Sequence, residues 1–180
     1  MSVKILRPVA DGEVSAFIIK HPPSGHFFEI VDEEICDEST YLYTQSAHFE
    51  RCLFVLPDGG EGKINSVSLN AYCRSSAPSA VIWARPVIKT HSTIYTGYAR
   101  SVGFSYELVS EVWTTNPYTG DRWTWDEMDD IQVGIDLAVN LGGGKKSAIV
   151  TQLWVEVDRA SAPGASISRG IFRGMFNRMR

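Results

Sequence analysis

The chain has 180 residues, 44% of them hydrophobic, 21% charged and 11% aromatic, with a formal net charge of −4. Those values describe one globular domain with its own core, and they exclude a disordered, acid-rich or low-complexity chain. No apolar stretch approaches the roughly eighteen residues of a membrane helix. The three cysteines (Cys36, Cys52, Cys73) lack CxxC spacing, which argues against a disulfide framework and a zinc site.

Taken in chain order, the opening MSVKILRPVADGEV shows no apolar signal region, so synthesis in a reducing cytoplasm, with isolated buried thiols, is the expectation. Residues 1–30 contain RPVADG and KHPPSG and read as an irregular N-terminal arm of short edge strands and loops. The stretch VDEEICDES gathers Asp32, Glu33, Glu34, Asp37 and Glu38. It lacks the D-x-D-x-D-G alternation of a calcium loop and reads as a solvated acidic loop. RCLFVLP is a strand that stops at Pro57.

Period-two alternation then dominates. In VSLNAYC, Val67, Leu69, Ala71 and Cys73 share one face. SAVIWARPVIKT, STIYTGYA and FSYELVSEVWT follow as strands. In GIDLAVNL, Ile135, Leu137, Val139 and Leu141 are expected to oppose Asp136, Ala138 and Asn140. In AIVTQLWVEVD, Ile149, Thr151, Leu153, Val155 and Val157 are expected on one side, and Val150, Gln152, Trp154 and Glu156 on the other. PDGGEGK, RSSAPS, TNPYTGD and LGGGKK separate these runs, and the last reads as a hairpin loop. The pattern predicts an all-β, antiparallel, jelly-roll-like sandwich.

The segment WTTNPYTGDRWTWDEMDDIQVGID, Trp113 to Asp136, holds three of the five tryptophans. Asn116-Pro117 opens a turn that Thr119-Gly120 closes. Thr124-Trp125-Asp126-Glu127 matches a capping box, and Trp125, Met128 and Ile131 fall on one helical face. One short helix near 125–131 is therefore expected, with Gly134 ending it. Trp113, Asn116, Pro117, Gly120, Trp123, Thr124, Trp125 and Glu127 form a structural corner in this reading, and the carboxylates serve capping and solvation.

Candidate chemistry is sparse. His21, His26, His48 and His91 show no metal-ligand spacing. A GxSxG elbow is missing, and LGGGKKSA lacks the spacing and following helix of a phosphate loop. No paired carboxylates suggest a hydrolase cleft. The reading is a non-enzyme without catalytic, cofactor or metal residues. Trp83, Tyr72, Trp154 and Tyr95 could form a stripe for stacking on sugar rings, with cross-strand packing the preferred account.

Beyond a sandwich of residues 1–158, residues 159–168 contain ASAPGAS and read as a linker. Residues 169–180 follow as a basic amphipathic segment. Its Ile171, Phe172, Met175, Phe176 and Met179 are flanked by Arg169, Arg173, Arg178 and Arg180, a composition suited to docking on a partner. Because residues 161–180 carry these four arginines and no acid, the rest of the chain is more acidic than the net charge shows. Such a body does not suit nucleic acid.

Together VDEEICDESTYLYT, INSVSLNAYCRSS, TIYTGY, SYELVSEVWTTNPYTGDRWTWDEMDDIQVGID and VTQLWVEVD resemble a family of structural proteins of tailed bacteriophages and prophages, over roughly Phe28 to Asp158. The TNPxTGxxWTW corner, followed by the acidic helix and GI, is its sharpest element. The resemblance implies a jelly-roll virion component: a capsid decoration, head-fibre or tail-appendage subunit made in the host cytoplasm. Its implied partners are other virion proteins or further copies of itself, with a cell-surface glycan as an additional ligand. Neither nucleic acid nor membrane is expected. A carbohydrate-binding module or adhesin using surface aromatics is the alternative, decided by whether Trp83, Trp154 or Trp113 faces solvent in a row.

Overall fold

Strands with one apolar face need a second layer to bury it, and here two sheets supply each other's cover. The computed structural model describes residues 2–35, 37–140 and 146–160. The described strands are β1 (Ser2–Leu6), β2 (Ala10–Val14), β3 (Ile19–His21), β4 (Tyr41–Thr44), β5 (Glu50–Val55), β6 (Ile64–Ser75), β7 (Ile82–Thr90), β8 (Thr93–Thr96), β9 (Arg100–Val102), β10 (Glu107–Trp113), β11 (Gln132–Val139) and β12 (Ala148–Arg159). Among the described residues one α-helix, α1, spans Trp125–Asp129, and a 3-10 turn spans Phe28–Ile30.

The first sheet runs β10-β6-β12-β4-β3, with β1 also paired to β12. The second runs β2-β5-β11-β7-β8, with β9 paired to β7. The described pairings are antiparallel, and the chain crosses repeatedly between layers, giving a jelly-roll-like β-sandwich. Within residues 1–30, the short strands β1, β2 and β3 pair with the sandwich, β2 and β3 at the ends of their sheets.

The core sits between the sheets. Leu42, Val67, Leu69, Ala71, Leu153 and Val155 meet Phe54, Ile82, Ile88, Ile135 and Leu137 there. Burying each large apolar side chain contributes about 1.5–3 kcal/mol before chain entropy is set against it. Cys52 and Cys73 are free, fully buried thiols. Burial pushes Cys52 up to about 12 and Cys73 higher still, so neither is a nucleophile at neutral pH. Cys36 lies outside the described residues.

Three expectations need correction. β11 and β12 do not form a hairpin, because they belong to opposite sheets. Two strongly alternating neighbours in sequence can bury their apolar faces across a core as readily as side by side, and alternation alone does not distinguish the two. Second, the inward parity of β12 is broken. Ala148 and Val150 point into the core, then Leu153, Val155 and Val157 do so, because a bulge intervenes between Val150 and Gln152. The Thr151 hydroxyl donates to the carbonyls of Asp37 and Thr40 at the bulge, and Ile149 is thereby turned outward. Third, Gly134 does not end α1. The helix stops at Asp129, and Gly134 lies inside β11, where a Cβ would sit 1.8 Å from the Cys52 carbonyl oxygen. Glycine is needed there for close strand approach, not for a helix cap.

Candidate functional site

Local sequence builds the corner first. Asn116 is fully buried. Its side-chain oxygen accepts from the Tyr118 amide at 2.9 Å, and its amide group donates to Glu127 at 2.8 Å. The turn closes through Gly120 N–H to the Asn116 carbonyl at 2.8 Å, with Gly120 at φ 77. The Thr124/Glu127 capping box is present, which satisfies two otherwise unpaired helix-end donors. Trp123 is buried, donating its indole N–H to the Trp113 carbonyl at 3.1 Å. The Trp125 indole donates to the Gly62 carbonyl at 2.8 Å and packs against Gly60, where a Cβ would come within 2.2 Å of the ring. Pro117 occupies the same turn. The eight corner residues are thus gathered into one packed end of the sandwich.

Beside this corner, the β7–β8 hairpin tip places His91 and Ser92 at φ 50 and 61, and His91 stacks on Tyr118 at 4.3 Å. Thr90, His91, Ser92, Asp126, Glu127 and Asp130 line a cavity of about 480 Å³. Glu127 is already committed to Asn116 and to the cap. No group of three or more metal-ligating side chains suited to a metal ion occurs among the described residues. In the acidic loop, Asp37 is held below the usual carboxylate range by hydrogen bonds from Ser39, and Asp32 is raised by burial.

The aromatic stripe read from the sequence separates. Tyr95 packs against the core, as does Trp113. Trp83 faces outward from the second sheet and is 39% exposed. Tyr72 and Trp154 come together on the outer face of the first sheet, ring centroids 5.6 Å apart. They sit on adjacent strands, in the rows where Tyr72 pairs with Gln152 and Asn70 with Trp154. The indole N–H of Trp154 donates to Glu156 at 2.9 Å, which fixes the ring, and the Gln152 amide donates to the Glu33 carbonyl.

Sequence reasoning missed how far this aromatic face extends. One step along β6, Arg74 points the same way as Tyr72. Its guanidinium lies 4.9 Å from the Tyr106 ring and 5.8 Å from that of Phe104. Arg74, Phe104, Ser105, Tyr106 and Glu38 line a cavity of about 310 Å³. Across β12, Ile149 pairs with both Arg74 and Tyr43, and Tyr43 leads to Tyr41 and His21 through ring contacts of 5.9 and 4.9 Å. The available signal was period two: Tyr72 and Arg74 alternate along β6, as Phe104, Tyr106 and Leu108 do into β10. Ser68 and Ser110 complete the face, and Val3, Ile5, Leu108 and Val112 border it with 49–57% exposure.

The second sheet's outer face differs. Asp136, 1% exposed, sits between Arg51 and Arg85, with N–O distances of 2.7 and 2.8 Å. Arg85 lies 4.1 Å from the Phe49 ring.

Arg169, Ile171, Phe172, Arg173, Met175, Phe176, Arg178, Met179 and Arg180, read from the sequence as a docking segment, lie outside the described residues.

No family model matches the chain, and no curated protein does. Solved structures with a similar fold include the xylan-binding domain CBM22-1 of Paenibacillus barcinonensis Xyn10C, at 9% identity and TM-score 0.42, over 83% of this chain and 86% of that one. The tandem CBM22-1-CBM22-2 domains of the same protein align at 12% identity and TM-score 0.45, over 92% and 48%. The enzymatically active domain of bacteriophage CBA120 tailspike protein 4 aligns at 8% identity and TM-score 0.39, over 87% and 19%. Likeness at this level assigns no residue a role.

Proposed function

We propose that this β-sandwich is a non-catalytic recognition domain that binds glycan chains on the outer face of its first sheet. The observation that carries this reading is the Tyr72–Trp154 ring pair set on that face, continued by Tyr106 and Phe104 around Arg74. A sugar ring presents an apolar C–H face and a rim of hydroxyls. Aromatic faces match the first through apolar burial and ring electrostatics. Polar groups placed around them orient the second, and Ser68, Ser110 and Glu156 stand in those positions. The Trp154 ring is anchored by its hydrogen bond to Glu156 and by packing on Tyr72, so little side-chain freedom is lost there on binding.

The test is a glycan array of neutral and acidic oligosaccharides probed with the full chain, followed by titration of the strongest binder. Tyr72→Ala/Trp154→Ala should lose about tenfold or more in affinity while the protein stays folded. An array without a hit, or a double variant that binds as the parent does, overturns the reading.

A second reading places the domain in a virion, docked on neighbouring subunits through residues 169–180. The sequence resemblance supports it, and so do the exposed aliphatic side chains Val3, Ile5, Leu108 and Val112 bordering the same face, since aliphatic margins suit protein contacts. Deleting residues 161–180 should leave a folded domain that no longer joins particles, scored by cosedimentation with assembled particles. Undiminished incorporation rules the tail out as the docking element. The two readings are compatible, because a virion ornament can also hold a glycan.

A further inference from the structure

Among the described residues, Arg74 is the one cation placed among the rings of the proposed binding face, and its bonding is incomplete. Its guanidinium is flanked by Tyr106 and Phe104 at 4.9 and 5.8 Å. Its Nε is buried without a hydrogen-bond partner, and no ion pair joins Arg74 to a carboxylate among the described residues. On the opposite sheet, Arg51 and Arg85 share Asp136. Two rings packed beside a guanidinium limit the directions its planar fork of donors can take, and that fork recognises a carboxylate through two parallel hydrogen bonds. The cavity beside it, about 310 Å³, opens on the face that carries Tyr72 one step away along β6.

We infer that the glycan held on this face is an acidic one, with Arg74 as the subsite for the carboxylate of a uronic-acid residue and Tyr72/Trp154 stacking the neighbouring sugar. This rests on the glycan reading above and adds the charge of the ligand to it. Glu38 lines the same cavity without pairing to Arg74. It opposes an anion there and sets the affinity below what Arg74 alone would give, so removing its charge should strengthen binding.

The experiment titrates the full chain with polygalacturonate and with the same polymer after carboxyl reduction, which replaces each carboxylate by a hydroxymethyl group. The wild type should prefer the acidic polymer by about tenfold or more, as a charge-assisted pair implies. Arg74→Gln should abolish that preference, so that the acidic and the reduced polymer bind alike. Arg74→Lys should restore part of it, and Glu38→Gln should raise affinity for the acidic polymer severalfold. Thermal melting of each variant separates these effects from misfolding. Equal binding of the two polymers, or an Arg74→Gln chain with the parent preference, overturns the acidic-ligand inference and leaves the stacking face intact. Dextran sulfate binding as tightly as polygalacturonate overturns it as well, by reducing the effect to bulk charge. Absence of binding to both polymers overturns the inference too; the oligosaccharide array then decides the underlying glycan reading separately.

Discussion

The two outer faces of this sandwich carry similar residue types and use them in opposite ways. On the second sheet, register places Arg51 and Arg85 on either side of Asp136, and the aspartate closes both cations into one internal network. Leu53 and Val87, one row along, are fully buried although they lie outside the main core cluster. On the first sheet, Arg74 has rings for neighbours and, among the described residues, no paired carboxylate, and four bordering aliphatic side chains remain in solvent. A charged residue on a sheet therefore says little by itself. What its cross-strand neighbour does with the charge decides whether the face is closed or still open to a ligand.

The largest effect should come from breaking the closed face. Asp136→Ala strands two half-buried guanidinium groups and removes their shared acceptor, which costs about 3–5 kcal/mol for a buried pair of this kind. For a domain of this size that lowers the melting temperature by on the order of 10 °C. Glycan affinity, measured below the melting temperature, should stay at the parent value because the first sheet is untouched. A change in affinity without a change in stability would mean that the two faces are not separable.

A smaller effect is expected from Trp154→Ala, which removes a half-buried ring from an outer face with no core cavity left behind. The stability loss should be about 1–2 kcal/mol, below the range for core tryptophans, and is read from a urea titration. Loss of binding should exceed what this destabilisation explains, and that excess marks a surface ring that serves a ligand more than the fold. Loss of more than about 4 kcal/mol would place Trp154 with the core and weaken the contrast between the faces.

Much of the architecture was legible from alternation and turn chemistry. Val67, Leu69, Ala71 and Cys73 all face inward, and the capping box at Thr124 and Glu127 forms as its spacing requires. Both are local rules acting over two to four residues. Where a long-range partner decides the outcome, local reading failed. The bulge at Thr151 inverts parity because two carbonyls from the acidic loop accept its hydroxyl. Gly134 is fixed by the approach of β5, and the β11–β12 connection by which sheet each strand joins. The aromatic face was legible only in part for the same reason: Tyr72 and Trp154 stood in the candidate stripe beside Trp83 and Tyr95, and local reading could not tell which of the four meet. Tyr72 and Trp154 are distant in sequence, and only register makes them neighbours. Period two puts Arg74 on the face of Tyr72, but its ring neighbours emerge only when the fold brings Tyr106 beside it.

The smallest effect sharpens the comparison most. Trp83 is the exposed tryptophan of the closed face, 39% accessible and paired with Ala138 on β11 and Ser101 on β9. It matches Trp154 in residue type but stands on the opposite sheet, away from the Tyr72 ring and from Arg74. If exposed indole alone were enough to hold a sugar, Trp83→Ala would weaken binding as Trp154→Ala does. If the arrangement of rings and an unpaired cation is required, Trp83→Ala should leave affinity for the array's strongest binder within about twofold of the parent, and stability within about 0.5 kcal/mol, as for ordinary surface substitutions. Parallel titrations of the two variants decide between these outcomes. A matching loss at both positions would move the binding determinant from one face to tryptophan exposure in general.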